Sequence, residues 1–391
     1  MIALKLAVRN LWGAGLRTWL NVIVLSFSYV VIIWQQGILD GWNLQARRDM
    51  IHWEVGGGVY WHEAYDPYDM FTLDDSHGRV PEPLQQEIEK GELTPILISQ
   101  ATFYPEGRIQ SILLKGIDPD QTVLELPSHL LRREMDEIPA IIGTGMASNS
   151  KLNVDDIVMI RWRDANGTFD AAEIKIAGIF KTNVPTVDKG QIWIPLERFR
   201  SMTGMPQEAT ILISKPGDFT VKQVPGWEFQ DHDMLFEEFN EMMKMKKAGG
   251  SIGYMLLLAL AMLAIFDTQI LSVFRRQKEI GTHIALGMTR GQLIRIFTIE
   301  GAMHGVLAIL VAAAYGIPLL YLSAKKGFAM PAGTSDDYGF AISETIFPVY
   351  GAGLVLGTIV IVLITVTIVS YLPTRKIAKM NPTDAIRGKI Q

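Results

Sequence analysis

The sequence predicts an α-helical membrane protein with four transmembrane helices (1+3) plus a large α+β extracytoplasmic domain. Three observations carry this expectation. No charged residue occurs from Thr18 to Leu39, Ala248 to Phe266, Gly301 to Ala324 or Thr345 to Thr374, and a helix rising about 1.5 Å per residue needs roughly 20 residues to cross a bilayer. Lys and Arg outside the insert between the first two runs gather in short segments. The insert itself, from Asp40 to Gly250, alternates strand-like and helix-like patterns and reads as a water-soluble domain.

The first run sits between Trp19 and Trp34, and Tyr254, Tyr321 and Tyr371 stand near the ends of the others, as interfacial aromatic belts do. Before it, Leu4, Leu6, Val8, Leu11 and Trp12 alternate with Lys5, Arg9 and Asn10, a pattern suited to a helix lying in the interface. Gln35-Gln36-Gly37 follows without a small-x-small cleavage site, so the first span is expected to stay as an anchor. Of the 15 Lys and Arg outside the insert, 13 fall before span one, between spans two and three, or after span four. These segments are expected to face the cytoplasm. The insert carries 21 Lys and Arg against 34 Asp and Glu, and an acidic head is not drawn to the anionic inner leaflet. The chain has no cysteine, so no disulfide framework is available, and a domain of this size buries a core without one.

Within the head, strands are expected at Ile51–Trp61, Ile96–Tyr104, Ile109–Gly116, Ile157–Trp162, Glu173–Phe180, Gln191–Ile194 and Thr210–Ser214, with a turn at Asn166-Gly167. Short helices are expected at Pro83–Lys90 and Leu196–Thr203, and Gly56-Gly57-Gly58 reads as a bulge or sharp bend. Asp233–Lys247, acidic first and basic last, predicts a stalk helix leading toward span two. Gly249-Gly250-Ser251-Ile252-Gly253 has the spelling of a hydrolase elbow, but no strand precedes it, and a flexible approach to the membrane is the expectation.

Between spans two and three, Arg275–Leu286 predicts a helix stopped by Gly287, and Thr289-Arg290-Gly291-Gln292 a capping box opening the next helix. Pro373 ends span four, and Asn381-Pro382-Thr383-Asp384 opens a last short helix. The division that follows is 1–40 for the interfacial helix and first span, 41–232 for the head, 233–250 for the stalk, and 251–391 for spans two to four. The last part holds a helix corner at 275–290 and a tail at 373–391.

The segment Lys278-Glu279-Ile280-Gly281-Thr282-His283-Ile284-Ala285-Leu286-Gly287-Met288-Thr289-Arg290-Gly291-Gln292-Leu293 resembles the signature of the FtsX-like permease family, membrane subunits of MacB-type ABC transporters. The opening Leu6–Leu11 and the tail Leu372–Arg387 are similar to that family too. Within the head, Lys151–Asp156, Ala177–Thr182 and Asp188–Leu196 resemble the lipoprotein-releasing branch. The resemblance implies a MacB-like periplasmic head on a multi-pass protein of the bacterial inner membrane. It also implies ATP-driven work, yet the chain has no Gly-x-x-x-x-Gly-Lys-[Ser/Thr] loop. A separate ABC ATPase subunit is therefore expected to bind ATP-Mg, with no catalytic residue and no cofactor here. Implied partners are that ATPase, a second permease chain, membrane lipids, a lipoprotein or other amphiphilic client, and a periplasmic carrier; nucleic acid is not among them.

On this reading Glu279, Ile280, Gly281, Ala285, Leu286, Gly287, Thr289 and Arg290 form the element that couples to the ATPase. Phe27, Val30, Val31, Met255, Leu258 and Met262, chosen by span position, line a client cavity. Asp267 is the one charge inside a span; it either contacts His304 across helices or is a hydrated carboxylate near the interface. Gly301-x-x-x-Gly305 and Gly353-x-x-x-Gly357 permit close helix packing, and Gly316-x-Pro318 a bend. The seven histidines include no His-x-x-x-His pair, and no zinc site is expected. Release of lipoprotein or lipid-like clients is the leading function. Drug or peptide efflux, and activation of a cell-wall hydrolase without transport, are the alternatives.

Overall fold

The computed structural model describes residues 16–133, 136–217, 219–330, 343 and 345–376. The interfacial helix before span one and the last short helix of the tail lie outside the described residues. In chain order, α1 (Leu16–Met50) passes through a π-helical turn (Ile51–Val55) into β1 (Val59–His62). The head continues with α2 (Glu82–Glu89), β2 (Leu93–Phe103), β3 (Gln110–Ile117), β4 (Ile138–Gly143) and α3 (Thr144–Ser150). Then come β5 (Ile157–Arg163), β6 (Phe169–Phe180), β7 (Gln191–Pro195), α4 (Leu196–Thr203), β8 (Ile211–Ser214) and β9 (Trp227–Gln230). Four further helices follow: α5 (Glu237–Arg275), α6 (Gln277–Ala285), α7 (Arg290–Lys326) and α8 (Ala352–Thr374).

The chain divides into two compact units. One holds residues up to Gly41, Met243–Phe328 and the chain from Phe347 onward; the other holds Trp42–Met242 with the described residues of Ala329–Ile346. Among the described residues, four helices are long and apolar enough to cross a membrane: α1, α5, α7 and α8.

The head is built on one nine-stranded sheet in the order β9-β1-β8-β2-β3-β7-β4-β6-β5. β5 also pairs with β2, Ala101 opposite Trp162, so six of the strands close on themselves and lose their free edges. β5 shows why such segments are strands: Val158, Ile160 and Trp162 are buried while Ile157, Met159, Arg161 and Arg163 alternate outward. β2 is buried along nearly its whole length, as a strand covered on both faces must be. The closed part encloses a core that includes Phe103, Leu114, Ile142, Ile160, Ile176, Ile192 and Phe199. A second core joins Tyr60, Leu84, Leu93, Leu212 and Trp227.

Several boundaries differ from expectation, each for a local reason. Ile51–Trp61 is not one strand. Helix α1 continues to Met50 and ends in the π turn, Gly56 takes φ +56°, and only Val59–His62 is extended. A side chain at Gly56 would collide with the Ser214 carbonyl, which is why the reversal needs glycine. The stalk is not a single helix: Asp231 caps a helical turn at His232–Leu235, Phe236 leaves helical geometry, and α5 starts at Glu237. Gly249–Gly253, expected to be flexible, lies inside α5. Span four begins at Ala352 rather than Thr345, because Thr345–Ile346 pairs as a short strand with Phe328–Ala329 and Gly351 caps the helix. Strands β4 and β9 and helix α3 were absent from the expected set. Pro139 in β4 disguises a strand whose register shifts between Ala140 and Ile141.

In the helical unit, Val22, Leu25, Tyr29 and Val30 of α1 pack with Ala261, Met262 and Ile265 of α5, Ala308 and Ala312 of α7, and Val362 and Val366 of α8. The opposite faces stay apolar and exposed, with Met255, Leu260 and Leu263 on α5 and Val360, Ile364 and Ile368 on α8. Exposed apolar faces of this extent suit helices that cross a membrane.

Candidate functional site: the helix corner and the span-one seam

The corner between α5 and α7 is held by one arginine. At Arg276 the backbone departs from helix (φ −101°, ψ 17°) and α6 starts. The Arg276 guanidinium donates from Nε to Glu279 Oε2 at 2.8 Å and from Nη1 to Glu300 Oε2 at 3.0 Å, and lies 4.9 Å from the centre of the Phe297 ring. Burial alone would lower its pKa, but Glu279 and Glu300 outweigh that and raise it, so the charge is permanent. Ile280 is fully buried and packs with Val273, Leu293 and Phe297. The short helix α6 is therefore clamped at its start and along its inner face.

Its far end is shaped by glycine. Gly287 takes φ +96° and donates its N–H to the Ile284 carbonyl at 3.0 Å. Thr289 then caps α7, with its side chain accepting from the Gln292 N–H and the Gln292 side chain accepting from the Thr289 N–H. Of the eight residues assigned to coupling, Ile280 and Gly281 face inward, while Glu279, Ala285, Leu286, Gly287, Thr289 and Arg290 are exposed. Leu286 is 80 % exposed, an apolar side chain at the tip of a rigid corner.

The six residues assigned to a client cavity do not form one wall. Val30 and Met262 belong to the helical core and Leu258 packs against it, whereas Phe27 and Met255 are exposed and Val31 is intermediate. Beside the apolar cluster that α1 and α5 share, polar contacts join span one to span two. Asn21 Nδ2 donates to Thr268 Oγ1 at 2.7 Å and to the Ala264 carbonyl at 3.4 Å, Gln36 bonds Tyr254, and Lys247 pairs with Asp40 at 2.7 Å. These contacts tie α1 to α5 at three levels. Ser26 lies 3.3 Å from the Tyr315 hydroxyl of α7, and Gly316 accommodates Val30.

Asp267 is exposed and makes no hydrogen bond or ion pair to His304. His304 is buried and bonds through Nδ1 to the Glu300 and Gly301 carbonyls of its own helix. Among the buried polar residues that sequence reasoning missed are Gln269, Ser370 and Glu300. A Cβ at Gly301 would meet Ser370 Oγ and Gln269 Nε2, so all three helices approach at that glycine. Gly305 accommodates Leu363 and Val366 of α8, but nothing approaches Gly353 or Gly357. A further pair, Gly37 and Gly41 on α1, receives Tyr350 and the Phe347 carbonyl. Its small-x-x-x-small spacing was a readable signal.

Four helices long and apolar enough to cross a membrane, a clamped helix corner and a large inserted α+β unit are thus combined in one chain. Residues 251–382 match the family described as FtsX-like permease C-terminal. The lipoprotein-releasing system transmembrane protein LolC of Neisseria meningitidis serogroup B is 22 % identical over 258 residues, which cover 60 % of this chain and 62 % of that relative. The extracellular domain of the noncanonic ABC-type transporter YknZ from Gram-positive bacteria matches at 13 % identity and a TM-score of 0.26, over 41 % of this chain and 84 % of that one. The latter likeness is too slight to bear on the fold.

Proposed function

We propose that this chain is the membrane permease subunit of an ATP-driven transporter that lifts lipoprotein or lipid-like clients out of the bacterial inner membrane toward the periplasm. The observation that carries the proposal is the corner: α6, fastened by Arg276 to Glu300 and presenting Leu286, Thr289 and Arg290 outward, has the build of a lever. A separate ABC ATPase would dock there, and a second permease chain would complete the pathway. Moving acyl chains out of a bilayer costs roughly 0.8 kcal/mol per CH₂, so a client with several chains needs outside work and a sheltered route. Access between spans one and two requires opening the seam of Asn21, Gln36 and Asp40.

Gly287→Pro tests the lever. Proline holds φ near −65° and has no N–H, whereas this position sits at +96° and donates to Ile284. The variant should insert normally and lose ATP-driven client release at least tenfold; unimpaired release in reconstituted vesicles would remove α6 from the mechanism. Clients copurifying with the wild type, identified by mass spectrometry, separate lipoprotein release from drug or peptide efflux. A bound hydrolase with no released client would favour the regulatory alternative. For orientation, a thiol reagent that cannot cross membranes should label Asp155→Cys but not Thr282→Cys in intact spheroplasts, and the reverse pattern would invert the topology.

A further inference from the structure

Within the head lies a cavity of about 540 Å³, lined among others by Trp53 and Glu54 of the π-helical turn, Trp61 of β1, Lys115 of β3 and Trp193 of β7. That volume falls in the range of pockets for drug-sized ligands, roughly 300–1,000 Å³. Two hydrogen-bond donors on residues that line it have no acceptor among the described residues. Lys115 is 8 % exposed and, among the described residues, has no hydrogen-bond or ion-pair partner; its Nζ rests 5.1 Å from the centre of the Trp193 ring. Trp193, directly beside it in the β3–β7 register, is buried with its indole Nε1–H unpartnered among the described residues. Two acids also line the cavity, and each already accepts a hydrogen bond from a hydroxyl: Glu54 from Thr186 Oγ1 at 2.9 Å and Glu238 from the Tyr68 hydroxyl at 3.3 Å.

Buried ammonium and indole N–H groups are normally paired, because leaving either without an acceptor is costly. Burial also pushes the Lys115 pKa down to about 8, so the charge is retained at neutral pH. A π-helical turn on the wall is a feature that recurs at functional sites. The two donors point to an acceptor-only anionic group, and the indole rings to an apolar body attached to it. We propose that this cavity binds an anionic single-chain amphiphile, whose carboxylate or phosphate accepts from Lys115 Nζ and Trp193 Nε1 while its chain lies along Trp53 and Trp61. The inference concerns the head and does not depend on what the spans transport.

The test uses the full chain in phosphatidylcholine nanodiscs. Radiolabelled dodecanoate and dodecyl phosphate should each be retained above the level of empty nanodiscs, and Lys115→Met should weaken retention at least tenfold while leaving heat unfolding cooperative. Retention unchanged in Lys115→Met, or no retention of either anion by the wild type, overturns the proposal. As a site-resolved check on the native residue, the bound anion should slow acetylation of Lys115 at least tenfold relative to exposed Lys151, read by peptide mass spectrometry. Equal protection by uncharged dodecanol would overturn the role of the anionic group. Protection by only one of the two anions supports the site and identifies the headgroup.

Discussion

Lys115 shows how much one residue can reveal. An ammonium sealed into a sheet beside three tryptophans, with no carboxylate bonded to it, lowers stability, and its folded pKa of about 8 lies below the ordinary 10.5. The sign follows from proton counting. Between those values the unfolded chain holds a proton that the folded head has released, so stability rises with pH across the window, and the full penalty applies below it. Lys115→Met should therefore stabilise the head at pH 7 by on the order of 3 kcal/mol, with the advantage fading toward pH 10. Native-state hydrogen exchange of the β2, β3 and β7 amides at several pH values measures this, and a Met variant less stable than wild type at pH 7 would contradict it. Sequence reading overlooked Lys115 because a single lysine in a strand such as Gln110–Ile117 usually points to solvent; only its burial makes it informative.

Among the elements, α6 was the most legible. Gly287, Thr289 and Gln292 specify the corner through their own backbone demands, and the observed φ and capping box match that chemistry. The clamp was not legible, since Arg276 and Glu300 stand 24 residues apart and both read as ordinary charges beside the apolar runs. Arg276→Leu removes the guanidinium from the largely buried Glu300 carboxylate and should loosen the corner. The expected result is faster proteolysis at 275–290 and loss of ATPase-driven release, with the head unchanged by hydrogen exchange. Unaltered proteolysis would mean that the packing of Ile280 against Phe297 is sufficient to hold the corner. Gly301 teaches the same lesson. Its motif foretold close packing, and the structure supplies the partners, Ser370 and Gln269.

For the whole molecule the decisive feature is the seam between α1 and α5. Beside the apolar cluster the two helices share, its bonds are polar, Asn21 with Thr268 and Asp40 with Lys247, and such bonds can be broken and remade. The chain contains no cysteine, so introduced thiols are unambiguous. Asn21→Cys with Thr268→Cys, joined by a short bifunctional thiol reagent, should stop client release, whereas the same pair capped with a monofunctional reagent should retain it. Release at the wild-type rate with the two spans joined would exclude passage between them. The residues assigned to a cavity by span position scattered because position along a helix specifies depth, while the face presented to a neighbour depends on rotation and packing. Val30 faces Gly316 and Met255 is exposed for that reason.

By itself the sequence determined the four apolar helices, the strand pattern of much of the head, the helix corner and the family resemblance of residues 278–293. Each of these follows from hydropathy, alternation, capping or a spelled motif within a short stretch of chain. The tertiary structure decided the rest: the closure of β5 onto β2, the Arg276–Glu300 clamp, the polar seam, and the pairing of Lys115 with Trp193 around a cavity. These join residues as far apart as 247 positions. Only the packing of whole elements brings such residues together, because the local backbone of one partner carries no signal that specifies the other.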